Sequence, residues 1–195
     1  MALAEKNISL AHDVMQRDDE VDRLYFFVVR QLMIAAEKRF IIEEMGLTSL
    51  RDCLGYRLVA KSIERIADHA ASIAQMILTM KYQRIPSDIM TLITNMSIIS
   101  TEICQNAMKA FHQLNIKKAN QAIAKAVQIT EMEEKTTKLI LKTKLHVTTI
   151  MVLRLVLESI RRTAEYGVDM AEITINLAKN HSLKQTIHHN SRRDS

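Results

Sequence analysis

The sequence predicts an all-α fold, a bundle of long helices, and three observations carry that prediction. Three Gly and one Pro in 195 residues are too few for the turns of a many-stranded β protein. Apolar residues recur at alternating spacings of three and four over long stretches, the period of a helix with one packed face. Twelve Met and 4% aromatic residues suit helix interfaces filled by aliphatic side chains. The first helix is expected from about Ile8 to Glu44, with Leu10, Val14, Val21, Leu24 and Val28 repeating, and it breaks near Gly46. Thr48 or Ser49 can cap a second helix from about Leu50 to Tyr82. Its seam is Val59, Ile63, Ile66, Ala70, Ile73, Ile77 and Met80. Pro86 separates it from a third helix, which starts at Ser87-Asp88 and runs to about Leu114. A fourth spans about Ile116 to Leu145 and a fifth about Thr148 to Lys179. From Asn180 to Ser195 the chain is polar, carries His188 and His189 without a hydrophobic period, and is predicted to be a disordered tail.

Lys and Arg number 27 against 22 Asp and Glu, a net charge of +5, of which Lys184, Arg192 and Arg193 against Asp194 place +2 in the tail. The helical body is close to neutral and shows neither a basic face nor interleaved aromatics, so it is expected not to bind nucleic acid by itself. Cys53 and Cys104 give no metal-ligand spacing and no disulfide framework, which points to a reduced, cytoplasmic setting. No stretch approaches the roughly 18 uninterrupted apolar residues of a membrane span, and Met1 to Ser9 carries no secretory core. No glycine nest for phosphate is present, and Ser62, Cys53 and Cys104 have no evident base, which counts against nucleophilic hydrolysis.

The second and fifth helices repeat one another. A shift of 97 residues lays Ser62-Ile-Glu-Arg-Ile-Ala-Asp-His-Ala over Ser159-Ile-Arg-Arg-Thr-Ala-Glu-Tyr-Gly. The seam repeats with it, and Gly167 takes the place of Ala70, where a close neighbour needs a small residue. A looser match at a shift of 113 sets Ala11–Asp18 over Ala124–Glu131. The expected organisation is therefore tandem: a first unit over 1–83 with two long helices, a second over 84–180 with three, and the tail over 181–195. A two-helix unit leaves apolar surface around Val59 and Ile63. A second copy, a partner helix or further chain is expected to fill it, unless the second unit's extra helix or the tail does.

Asp18 and Asp22 are four apart on the first helix, and Glu64 and Asp68 four apart on the second. That spacing sets each pair on one face, with side-chain roots about 5–6 Å apart, near enough to share a hard cation. Counting from the seam places Glu64 and Asp68 on the outward side, so a metal there is expected at the surface. Asp19 and Glu20 add charge beside the first pair, and meeting carboxylates raise one another's pKa and favour a bound cation. The alternative is a solvated acidic face neutralised by Arg17, Arg23, Arg57 and Arg65. In the second unit the counterparts are Glu131 with Lys135 and Arg161 with Glu165, pairs that satisfy themselves as helix salt bridges. A di-iron oxidase bundle needs Glu-x-x-His on two helices, and no Glu here has a His three residues on; His69 flanks Asp68 about 100° away.

Asp18-Asp-Glu-Val-Asp-Arg-Leu-Tyr-Phe followed by Ile63-Glu-Arg-Ile-Ala-Asp-His-Ala resembles the PhoU family of phosphate-uptake regulators, over about Ile8 to Lys179. The resemblance implies tandem three-helix repeats whose acidic pairs hold multinuclear clusters, here with Asp18, Asp22, Glu64 and Asp68 as ligands of an iron or zinc cluster or another divalent or trivalent metal. It implies a cytoplasmic regulator without catalytic activity. The resemblance implies action on the ATPase of a phosphate ABC transporter or on a sensor protein; the uncovered apolar surface adds the expectation of a homodimer or higher oligomer, and the hydropathy that of no membrane insertion. The motifs are similar to archaeal members that carry an AbrB-like DNA-binding domain ahead of the PhoU part, which leaves a transcription-associated regulator or accessory subunit as the alternative. Two departures stand out: neither the first helix of the first repeat nor an AbrB-like domain precedes the motif, and Lys135 and Arg161 alter the second acidic set. One metal site per chain is the expectation.

Overall fold

The structure, a computed structural model, describes residues 7–80 and 84–191, and helix occupies nearly all of them. The helices among the described residues are α1 (Ile8–Glu37), α2 (Arg39–Glu44), α3 (Leu50–Thr79), α4 (Ser87–Gln113), α5 (Ile116–Lys142) and α6 (Val147–Ser191). Asn7 opens α1, its side chain accepting from the Leu10 amide.

The expected first helix is divided. Lys38 adopts extended backbone, its N–H turns back to the Ala35 carbonyl, and a short second segment follows. Neither Gly nor Pro marks this break; it folds Ile42 and Leu47 back onto Leu32, Ala35 and Cys53 as a small separate core. Gly46, at φ +70, then closes α2, with the Leu47 N–H reaching the Ile42 carbonyl at 2.9 Å. At the other end of the chain α6 runs on through Ser191 where a disordered tail over 181–195 is predicted. Between Asn180 and Ser191 no Gly or Pro interrupts it. Residues 192–195 lie outside the described residues.

The second half forms a three-helix bundle in which α4, α5 and α6 pack pairwise. Its core is built on Ile89, Ile93, Met96 and Ile103 of α4 against Ile129 and Ile140 of α5 and Leu153, Val156 and Leu157 of α6. The crossing of α4 and α6 is close. Ser100 Oγ donates to the Ile160 carbonyl at 2.9 Å, Cys104 Sγ to the Thr163 carbonyl at 3.2 Å, and Gly167 faces Ile103 and Cys104. The first half is a pair, α1 on α3, and α3 packs in turn on α6. At Val59 this docking takes the alternative in which the second unit itself covers the surface: the residue is 3% exposed and packed with Ala107, Phe111 and Met170 of the second half. Ile63 remains exposed, and the larger uncovered apolar surface lies on α1, at Leu24, Phe26, Phe27 and Met33.

Candidate metal centre

The pairing of α1 with α3 decides whether the acidic spacing means anything, and it brings the two pairs face to face. One carboxylate oxygen each from Asp22, Glu64 and Asp68 lie within 4.8 Å of one another. Asp18, one turn earlier on α1, stands at the edge of this group. Burial, then the charges of Asp68, Asp22, Asp19 and Glu64, push its carboxyl above the ordinary range. Asp68 is raised likewise, by burial first and then by Glu64 and Asp22, against the opposing pull of Lys61 and Arg65. The group is half-buried between the two helices, not on the open surface that counting from the seam suggests. The reason is that the outward side of the α3 seam is the side that α1 covers.

Oδ1 of Asp18 and Oε2 of Glu64 are buried without a hydrogen-bond partner. Two carboxylate oxygens without hydrogen bonds, in a group of four carboxylates that Lys61 and Arg65 offset only in part, leave an arrangement that a cation would complete. The donor set is all oxygen and anionic, which suits a hard ion such as Mg²⁺, Mn²⁺, Ca²⁺ or iron better than a soft one.

The neutralising cations are only in part those expected. Arg17 turns to Asp13 at 3.0 Å. Arg65 approaches Glu64 only to 3.9 Å. Lys61, which spacing did not single out, donates to Glu64 Oε1 at 2.5 Å and lies over the Tyr25 ring, 5.1 Å from its centroid. The signal for it was present, since Lys61 precedes Glu64 by three on one helix face. His69 turns away from the carboxylates and stacks on Tyr166 at 5.8 Å, with burial and then Arg162 holding it towards the neutral form.

The same place in the second half is closed by guanidinium groups. Arg161 Nε sits 3.1 Å from Glu133 Oε2 and also pairs with Glu165, while Arg154 and Arg162 hold the remaining oxygens of Glu133 and Glu165. The predicted Arg161–Glu165 pair is therefore present, and the predicted Glu131–Lys135 pair is not formed among the described residues. Glu133, two positions on, is the α5 carboxylate that faces Arg161, so the 113 shift misplaces this helix by about half a turn.

A cavity of about 490 Å³ opens between α3 and α6, lined by Lys61, Arg65, Arg162, Tyr166, Asp169 and Glu172 among others. Beyond it Asp52, buried at the first turn of α3, accepts from the Thr48 amide and hydroxyl and the Ser49 amide.

Sequence comparison finds no match among proteins with curated descriptions. Among solved structures, the fold is similar to the phosphate transport system regulatory protein PhoU from Streptococcus pneumoniae. The TM-score is 0.77 at 19% identity, over 90% of this chain and 82% of that one. The PhoU domain matches residues 1–77 and again 93–174, most of the chain and both of its halves. With two matched segments and the fold in agreement, the chain belongs to the PhoU domain family.

Proposed function

We propose that this protein is a cytoplasmic, non-catalytic regulator of phosphate uptake whose first half binds a divalent or trivalent metal through Asp18, Asp22, Glu64 and Asp68. One observation supports this most: α1 and α3 bring the acidic side chains together with Asp18 Oδ1 and Glu64 Oε2 buried and unsatisfied. A cation bound there would neutralise the cluster and join α1 to α3. A multinuclear iron or zinc cluster is compatible with the number of carboxylates. The second half, with Arg161 in the place of Glu64, takes no ion in this reading.

The partner is the ATPase of a phosphate ABC transporter or a sensor protein, reached from solution, and no helix among the described residues is long and apolar enough to cross a membrane. The apolar residues exposed along α1 supply a surface for a second copy or for that partner. Metal analysis of the purified wild type beside Glu64→Ala/Asp68→Ala tests the site. Bound metal in the wild type and its loss in the variant is the expected result, and equal, negligible metal in both rejects it. Phosphate uptake in cells grown at high phosphate tests the regulation. Uptake rises when the protein is removed, and unchanged uptake counts against the assignment.

A further inference from the structure

Lys61 stands between two acidic sites. Its ammonium donates to Glu64 Oε1 at 2.5 Å, while its side chain, about a third exposed, also lines the cavity between α3 and α6. The helices run antiparallel there. Asp52 meets His181, and the Gly55 backbone lies against Leu177, a register that puts Lys61 level with Glu172. Glu172 and Asp169 lie three apart on one face of α6, and among the described residues neither forms an ion pair.

We propose that Lys61 is a built-in counter-ion of the acidic quartet, that it competes with metal for Glu64, and that metal binding sends its ammonium across the cavity to Glu172 and Asp169. This rests on the metal reading above. Lys61 holds Glu64 Oε1, so a multivalent cation that takes the unsatisfied Oε2 together with Asp22 and Asp68 would share one carboxylate with the ammonium, and the two positive charges would repel across it. A lysine ammonium, a point charge on a flexible four-carbon stem, can leave without moving the helix. The carboxylates that share the cavity with it are those of Asp169 and Glu172 on α6, of which Asp169 already feels the charge of Arg162. Metal occupancy of the first half thereby adds an ion pair across its junction with the second, and the coupling is reciprocal: whatever holds Lys61 on α6 strengthens metal binding.

The test is a titration of chelator-treated protein with Mn²⁺, following free Mn²⁺ by electron paramagnetic resonance, with helix content checked by circular dichroism. Lys61→Met is expected to bind Mn²⁺ about tenfold more tightly than wild type. Lys61→Arg, which keeps the charge, stays near wild type, and Glu172→Gln/Asp169→Asn binds several-fold more weakly. Lys61→Gln serves in place of Lys61→Met if the latter does not fold. A wild type that takes up Mn²⁺ while Lys61→Met binds no more tightly overturns the competition and leaves the metal site standing. Unchanged affinity in the Glu172/Asp169 variant overturns the transfer. A wild type that takes up no Mn²⁺ overturns the metal site, and the competition falls with it.

Discussion

His181 Nε2 lies 3.4 Å from the buried Oδ1 of Asp52, so that the far part of α6 is fastened to the first turn of α3. Asp52 Oδ2 meanwhile takes the Thr48 and Ser49 amides and the Thr48 hydroxyl. One carboxylate thus caps a helix and ties the two halves together.

Asp52→Asn is therefore expected to cost about 1–3 kcal/mol at pH 7, read from urea unfolding midpoints. Burial works to raise the Asp52 pKa, but the hydrogen bonds from Thr48 and the charge and hydrogen bond of His181 outweigh it and hold it below 3.8. A folded pKa below the unfolded one gives stability that is present above the unfolded value and lost as pH falls through the folded one. The difference between wild type and variant should narrow below about pH 4. A gap of the same size at pH 3 and pH 7 contradicts the assignment.

The acidic quartet carries the opposite sign. Asp18 and Asp68 are raised above 3.8, by burial first and then by neighbouring carboxylates. Their penalty is absent below the unfolded pKa, grows as pH rises through the folded one and is full above it. In chelator-treated protein Asp18→Asn should stabilise at pH 7 by a few tenths to about 1 kcal/mol, an amount limited by solvent screening, and by nothing measurable at pH 3. Destabilisation at pH 7 would show that the quartet is compensated without metal.

Metal should reverse that balance in the first half only. Adding Mn²⁺ at about a hundred times its Kd is expected to stabilise the wild type by about 2.7 kcal/mol in thermal melts. Asp68→Asn should remove most of this rise. Glu165→Gln, its counterpart in the second half, should leave it intact, because Arg161 and Arg162 already hold that carboxylate. Equal losses in the two variants would place metal in both halves.

What the sequence made legible follows from which signals are local. The seam of α3, the repeat of it in α6 and the small residue at Gly167 are properties of single helices; the packing agrees along α6 and at Val59, Ile77 and Met80 of α3, while Ile63 and Ala70 are exposed. The pairs Asp18–Asp22 and Glu64–Asp68 were legible as two faces, but their meeting depends on the register of α1 against α3. The break at Lys38 was not legible, since it serves the contact of Ile42 and Leu47 with Leu32 and Cys53 and needs no special residue. The cover of Val59 was left open between a partner and the second unit because it comes from α4, α5 and α6, far along the chain. Asp52 was readable in part, as a carboxylate three residues after the capping Ser49; its partner His181 lay in a segment assigned to the tail.

The two buried glycines of the helix interfaces should respond unequally to alanine. A Cβ at Gly55 would meet the Leu177 side chain at 2.8 Å, and Leu177 can rotate. At Gly167 it would meet Ile103 Cγ2 at 2.9 Å, Cys104 Sγ at 3.1 Å and the Cys104 backbone nitrogen at 3.2 Å, and that backbone cannot yield without separating α4 from α6. Gly167→Ala is expected to cost about 1–3 kcal/mol of overpacking, against a helix-propensity gain of about 1 kcal/mol. Gly55→Ala should be close to neutral. Equal midpoints for both variants in denaturant unfolding would show that the α4–α6 crossing is looser than its hydrogen bonds require.

Much of the apolar surface of α1 is uncovered. Phe26 and Met33 on one flank are 64% and 63% exposed, and Leu24 and Phe27 elsewhere on the helix are 63% and 58% exposed. From Leu24 to Ala36 the only polar or charged side chains besides Tyr25 are Arg30 and Gln31. A helix apolar on nearly all sides is ordinarily covered on nearly all sides, and among the described residues α3 covers one side and the short α2 only the end at Leu32 and Ala35. Leaving that surface in water forgoes roughly 25 cal/mol for each Å² of apolar area, which a second copy would recover. Purified protein at micromolar concentration is expected to elute with light-scattering mass above that of one chain. Leu24→Lys/Phe27→Lys should shift it towards the monomer while keeping helix content, because neither side chain contributes to a buried core. A monodisperse, well-folded wild-type monomer would instead assign the surface to a different protein.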